Sequence, residues 1–364
     1  MINNIKAEII THSKREGTGE ELITYKLTYP RIILSEANTY KMLEKNTSSS
    51  RAIPFEKMVE VVEKEPFIPI AWQKHHRGMQ GTEYITDPKQ IQFKMDTWLE
   101  ARDKAVECAH KLYEDATFVC AEGNRKWKET YDGTSKQLVN RLLEPWMWVT
   151  QLCTGTRESF EHLFHQRCPQ YEFYFGKSKS KKEVLEYINI GEIEYPKPFP
   201  KTDLEWLQHN TGQAEIHFMD LAEKMYDALQ ESQPQILKPG DWHIPFRNEI
   251  DSNLSIEDQI KISVSKTAKI SYTKIGDENS ISVEKAREMH DKLKNSGHWS
   301  CFGHIGRCME DYEYDSWIKG KCQPIGFSEF EEETFLEIPS NKEKGWNRNL
   351  KGFLSYRHIV EDTE

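Results

Sequence analysis

The sequence predicts an α+β chain rich in helix, and three observations carry that expectation. Residues 22–29, Leu-Ile-Thr-Tyr-Lys-Leu-Thr-Tyr, form a run of β-branched and aromatic residues that stops at Pro30, which reads as a strand. Apolar residues then recur at helical spacing over 93–127, 135–152, 156–167 and 213–229. A further strand at 262–272 precedes a helix with Ser282 as N-cap, Ala286, Met289 and Leu293 on its apolar face, and Gly297 as its stop.

Between these elements the signals are more local. Pro30 suits the first turn of a helix, and Ile33, Ala37, Tyr40 and Leu43 extend that expectation over about residues 31–43. A serine loop follows. Lysine, proline and glycine mark 171–203 as a surface excursion, and 233–255 reads as a second. The chain contains no internal repeat and no long low-complexity tract.

At 364 residues the chain can bury a sizeable core, as one large domain or two modest ones. Charged residues make up 30% of it, mean hydropathy is -0.75, and no apolar run is long enough to cross a bilayer. Lys6 and Glu8 break any apolar stretch near the start, so no signal peptide and no membrane association are expected. The seven cysteines are scattered without a CxxC pair, which favours reduced thiols in a cytoplasm. A net charge of -10 argues against wholesale binding of nucleic-acid backbone, so any phosphate must be held by a few placed arginines.

Three constellations have chemistry in them. Asn46-Thr47-Ser48-Ser49-Ser50-Arg51 has the composition of a phosphate loop, because small hydroxyl residues let backbone N–H groups approach an anion and an arginine can clamp it. The same composition also makes a solvated turn. Arg141 before Leu142-Leu143-Glu144-Pro145, and Arg167 at the end of the helix carrying His162 and Phe164, are candidate anion contacts or ordinary helix-end cations. His298-Trp299-Ser300-Cys301-Phe302-Gly303-His304 with Cys308 raises a zinc site, but it lacks paired CxxC or HxxxH units, and no metal is expected.

Together these fragments resemble the flavin-dependent thymidylate synthase family. Pro30 stands nine residues before Thr39, where the family's Arg-His-Arg signature begins, and Asn46, Ser49 and Arg51 fall at its Asn, Ser and Arg positions. Asn140-Arg141-Leu142-Leu143-Glu144-Pro145 resembles the phosphate-binding arginine segment, and His162-Leu163-Phe164-His165-Gln166-Arg167 the segment whose arginine contacts uracil. The family opens with Ala-Arg-Val-Ser-Tyr and then Gly-His-x-Ser-Pro-Phe-Glu-His. Here Ala268-Lys269-Ile270-Ser271-Tyr272 and the 297–304 segment lie near the end, so the order is permuted. Ser-Ser-Ser-Arg-Ala-Ile-Pro and Gly78-Met79-Gln80 are similar to the longer, phage-type branch. The sequence departs from the pattern at Thr39-Tyr40-Lys41 for Arg-His-Arg, Glu44 for Ser, Thr47 for Glu, His162 for Asn, and Gly303 for the Glu before His304.

The resemblance implies a helix-rich synthase fold on a central antiparallel sheet, circularly permuted. Residues 1–235 would carry the main portion and 236–364 would complete the same domain, with the flavin-contacting segment at about 262–309. It implies FAD as cofactor, methylenetetrahydrofolate and NADPH as co-substrates, reductive methylation of dUMP to dTMP, and a homotetramer with shared sites. It assigns Ser49, Ser50, Arg51 and Arg141 to the phosphate, Arg167 to the uracil edge as the catalytic contact, and Tyr40, Lys41, Asn46, Thr156, His162, Ser271 and His304 to the flavin. Cys153 and Cys168 need no catalytic role. Hydroxymethylation or another one-carbon transfer to a pyrimidine nucleotide, and an inactive nucleotide-binding homologue, are the alternatives.

Overall fold

The computed structural model describes residues 5–78, 81, 83–122, 125–174, 176–193, 195, 198–272, 281–319 and 340–361. Its centre is a five-stranded sheet in the order Glu44–Thr47, Trp148–Thr156, Glu21–Pro30, Lys6–Arg15, Gln235–Leu237. All neighbours are antiparallel except the last pair, which is parallel. The expected strand at 22–29 is therefore its middle element, and alternation explains how it serves two cores. Ile23, Tyr25, Leu27 and Tyr29 face one side, where they pack with Phe160, Leu163, Phe164, Phe218, Leu221 and Met225. Leu22 faces the other, among Leu237, Cys308, Leu350 and Phe353 from later in the chain.

The helices on the first side are Arg157–Arg167 and Ile216–Glu231, close to expectation. Thr156 caps the first, its hydroxyl accepting from Ser159 N–H at 3.2 Å. Glu215 caps the second through Glu215 Oε2, which accepts from His217 N–H at 2.8 Å and Phe218 N–H at 3.1 Å. Val283–Asn295 also forms as read, with Ser282 at its N-cap and Gly297 at φ +69° after its end.

Several elements differ from the sequence expectation. The helix expected over 31–43 is a 3-10 turn Arg31–Ile33 and a single α-turn Leu34–Ala37, because Thr39 Oγ1 donates to the Glu36 carbonyl at 2.7 Å and closes it. The 93–127 helix runs instead from Pro88 to Tyr113, and the chain then turns into a hairpin of Ala116–Glu122 and Arg125–Tyr131, where β-branched and aromatic residues override the weak apolar period. Within 135–152, Lys136–Val139 and the 3-10 segment Asn140–Trp146 end around Pro145, and Trp148–Thr156 becomes a sheet strand. The strand expected at 262–272 is part of a helix, Ile256–Tyr272, because Ile260, Val264 and Ala268 share one helical face that buries against the Val283–Asn295 helix. The 171–203 excursion is not wholly superficial, since it carries a helix, Lys181–Asn189, and buries Tyr171 and Val184 with Trp206. Residues 233–255 likewise contribute the sheet-edge strand Gln235–Leu237 and a fully buried His243.

Candidate nucleotide and cofactor site

The edge strand Glu44–Thr47 brings distant parts of the sequence together. Asn46 is buried beside the Ile256–Tyr272 helix. Its Oδ1 accepts from Ser271 Oγ at 3.0 Å and Ser300 Oγ at 3.1 Å, and its Nδ2 donates to the Thr267 carbonyl at 2.5 Å. Ser49 N–H donates to the Ser271 carbonyl at 3.2 Å. Segments 44–51, 267–271 and 297–304 thus form one continuous patch, held by an amide whose bonding capacity is largely used.

The serine loop leaving that strand is fixed from below. Asn140 Nδ2 donates to the Ser50 carbonyl at 2.8 Å and the Ile53 carbonyl at 3.0 Å. Ser50 Oγ donates to Glu144 Oε1 at 2.6 Å, and the same oxygen pairs with Arg31 Nη2 at 2.9 Å. Arg51 and Arg141 project outward as exposed side chains and, among the described residues, make no ion pair. The loop of Ser49, Ser50 and Arg51 therefore meets the Asn140–Arg141 segment. Arg31 was missed in the sequence, where its one local signal is its place directly after the strand-ending Pro30. Its buried Nε lacks a partner, as does Asn140 Oδ1. An unpaired guanidinium N–H beside two free arginines is the chemistry of an anion site.

Arg167 lies in a separate cluster. Its Nε donates to Tyr40 Oη at 2.8 Å, Tyr40 donates to Gln166 Oε1 at 3.0 Å, and Glu36 is 3.6 Å from the guanidinium. The guanidinium stands 5.3 Å from the Phe218 ring centroid and 5.8 Å from that of Tyr40. Burial raises the Tyr40 pKa against the opposing pull of Arg167, so the phenol stays protonated and able to donate. Exposed His162 and Gln166 bond each other at 3.1 Å, and Lys41 is exposed. Among the described residues no hydrogen bond or ion pair joins Arg167 to the serine loop.

Behind the patch a chain of polar side chains crosses the sheet. Ser13 Oγ and His243 Nδ1, His243 Nε2 and Thr24 Oγ1, Thr24 and Thr154 Oγ1, and Thr154 Oγ1 and His304 Nδ1 are each 2.8 Å apart. Each hydroxyl has one proton to give, so the protons must run in one direction or the other along the chain. The direction fixes the tautomer of both imidazoles. His304 Nε2 is buried and unpartnered, a donor in one ordering and an acceptor in the other. Burial pushes the pKa values of His243 and His304 down to about 3, so both rings are neutral at pH 7.

The flavin set thus divides by exposure. Tyr40, Asn46, Thr156 and His304 are buried and bonded within the fold, while Lys41 and His162 face outward and Ser271 is half-buried. The outward members offer a cation and hydrogen-bonding groups to the surface, whereas the inward ones are used by the fold itself. Burial pushes the Cys153 thiol up to about 12 and raises that of Cys168 well above its ordinary value, so neither is a ready nucleophile. Cys301 and Cys308 are buried while the His298 side chain is exposed, the Cys301 thiol donating to the His298 carbonyl at 3.4 Å, and among the described residues no cluster of three metal-ligating side chains occurs. Met79 and Gln80 lie outside the described residues.

A cavity of about 810 Å3 lies elsewhere, lined in part by Lys6, Tyr171, Lys181, Asp220, Glu223 and Asp227, none of them a candidate site residue of the sequence. Burial raises the Glu223 pKa to about 7, although Tyr171 Oη at 2.9 Å and Lys181 N–H at 2.7 Å both donate to its carboxylate.

Fold and site define an α+β protein with a mixed sheet, an arginine-rimmed hydroxyl loop and, among the described residues, no helix long and apolar enough to cross a membrane. No protein-family model matches the sequence, and no curated protein does. Among solved structures it is similar to a UMP/dUMP methylase PolB from Streptomyces cacaoi bound with 5-Br dUMP, at TM-score 0.40 and 10% identity over 65% of this chain and 92% of that one. A structure of the same methylase bound with 5-Br UMP matches at TM-score 0.34 and 12% identity over 52% of this chain and 88% of that one. Likenesses this distant leave the functional reading to the residues themselves.

Proposed function

We propose that the protein is a flavin-dependent thymidylate synthase or a near relative, methylating dUMP with methylenetetrahydrofolate as one-carbon donor and NADPH as reductant. The observation that carries this reading is the junction at Asn46. Segments that the family pattern places before its signature, and that occur here more than two hundred residues after it, bond directly to the signature segment through Ser271 and Ser300.

In this reading Ser49, Ser50, Arg51 and Arg141 hold the nucleotide phosphate, with Arg31 adding charge beneath the loop. Charge-assisted bonds from a rigid guanidinium fork suit a dianionic phosphate. Arg167, oriented by Tyr40, contacts the uracil edge and stabilises negative charge developing on the base. The resemblance brings with it a homotetramer whose sites draw on more than one subunit. FAD, when bound, supplies the redox and one-carbon transfer chemistry. Lys41, His162 and Ser271 are the side chains that would hold it.

The test is a flavin titration followed by visible absorption, with tritium release from C5-labelled dUMP and mass analysis of the product. Flavin uptake and dTMP formation are expected. A hydroxymethylated product would move the reaction to the altered-chemistry alternative. The internal bonding of Tyr40, Asn46, Thr156 and His304 favours a second reading, a nucleotide-binding homologue without cofactor. Tight dUMP binding with no flavin uptake would establish that second reading and overturn the first.

A further inference from the structure

The row of polar side chains behind the patch is buried along its whole length. Ser13 is 1% exposed, and Thr24, Thr154, His243 and His304 are 0% exposed, so the row has to satisfy its protons internally. The sheet register builds it. Ser13 lies opposite Leu22 and Thr24 lies opposite Thr154, and alternation turns Leu22 and Thr24 to one face, so the three hydroxyls leave the sheet on the side that Leu22 buries. His243, ending the short strand Trp242–His243, bridges Ser13 and Thr24, and His304 closes the row beyond Thr154.

Both imidazoles are neutral, so each of the five groups carries one proton, and the groups meet in four contacts. One proton is left over in either direction, and the two directions differ in where they leave it. If the protons run from Ser13 towards His304, every hydroxyl donates and the unmet group is the Nε2–H of His304. If they run the other way, His304 Nε2 is an unmet acceptor and the Ser13 hydroxyl must send its proton elsewhere. Among the described residues Ser13 Oγ makes no other hydrogen bond. The first order leaves one buried group unmet and the second leaves two.

We propose that the Ser13 hydroxyl sets the proton order of the whole row, so that His243 and His304 both carry their proton on Nε2 and His304 presents an N–H donor that the fold leaves unused. Ser13 is a positioning residue that acts on His304 through His243, Thr24 and Thr154. A group brought to His304 Nε2 must then offer an acceptor, such as a carbonyl oxygen or an unprotonated ring nitrogen. The order is a property of the fold and stands apart from the functional reading above.

Long-range 15N–1H spectra of the histidine rings distinguish the two neutral tautomers, with the His243 and His304 signals assigned by their loss in His243→Gln and His304→Gln. In wild type both rings are expected in the Nε2–H form, favoured by about tenfold or more because the other order leaves one further buried group unmet. Ser13→Ala removes that difference, since each order then leaves two groups unmet. The Nδ1–H form is expected to rise to a comparable population at His243 and, three contacts away, at His304. Ser13→Cys, of similar shape and with a weaker donor, is expected to move both rings the same way to a smaller extent, and it carries the test if the alanine variant does not fold. Thr24→Val keeps the shape and cuts the row, so adding Ser13→Ala to it is expected to leave His304 unchanged, whereas Thr24→Ser keeps the hydroxyl and the wild-type pattern. An Nδ1–H form at His304 in wild type would overturn the proposal, as would two rings in opposite forms. A His304 signal indifferent to both Ser13 substitutions would overturn it as well, because Ser13 would then be packing alone.

Discussion

Ser271 Oγ donates to Asn46 Oδ1 at 3.0 Å across a sequence separation of 225 residues. The bond joins the end of the Ile256–Tyr272 helix to the sheet's edge strand, and the second acceptance from Ser300 fastens the 3-10 turn Trp299–Phe302 to the same atom. The site cannot be assembled from either part of the chain alone.

Substituting Asn46→Ala removes all three side-chain bonds, taking one partner from each of the Ser271 and Ser300 hydroxyls and the Thr267 carbonyl. The expected loss is about 2–4 kcal/mol, measured by urea denaturation. Asn46→Asp keeps the two acceptances but turns the Thr267 contact into one between two oxygens, so it should be destabilised as well. A variant as stable as wild type would mean that the junction is not held by this side chain.

Arg51 and Arg141 are exposed, so their loss should separate binding from stability. Arg51→Ala and Arg141→Ala are each expected to weaken dUMP binding by about 10–100-fold in calorimetry while leaving Tm within a degree or two. Arg31→Ala should lower both, because its guanidinium also pairs with Glu144 and supports Ser50.

Acid should unfold the protein through its buried histidines. The folded-state pKa values of His243 and His304 lie near 3, below the ordinary 6.5, so the unfolded chain binds protons that the folded chain refuses. Their contribution is complete above about pH 6.5 and is lost as pH falls from there toward 3. Denaturation midpoints measured from pH 7 to pH 4 should fall steeply, with uptake of about two protons on unfolding from this pair. His12 and His290, also lowered chiefly by burial, add to the same limb. A flat profile would show that these rings are hydrated.

Glu223 should act in the opposite direction. Its folded-state pKa is raised to about 7 from 4.5, so the folded form holds its proton more firmly, and this contribution is fully present below about pH 4.5 and lost as pH rises through 7. Glu223→Gln keeps an oxygen for Lys181 N–H and offers an N–H to Tyr171. The variant is expected to be more stable than wild type at pH 8, by on the order of 3 kcal/mol, with little difference near pH 4.5. Equal stabilities at pH 8 would mean that the carboxylate ionises there without cost.

Local signals in the sequence were faithful where the physics is local. The Ser282 cap, the stop at Gly297 and the strand over 22–29 ending at Pro30 each depend on a few adjacent residues. The Ile256–Tyr272 helix was read as a strand over 262–272 because a short apolar run fits either period, and only burial against Ala286 and Leu293 selects the helix. The tail of the 93–127 helix failed for the complementary reason, as a hairpin with few buried residues follows β propensity once the helix ends at Tyr113.

The site divides along the same line. The sequence by itself determined the hydroxyl loop with Arg51, the Arg141 segment, the middle strand and the Ser282-capped helix, because residue chemistry and short-range spacing are written in adjacent positions. The tertiary structure alone decided that Asn46 is the junction, that Arg31 lies under the loop, that His243 and His304 share one hydrogen-bonded chain, and that Glu44 fills the space at Gly303. Those pairings cost loop-closure entropy that packing of the whole sheet must repay, so no local stretch of sequence encodes them.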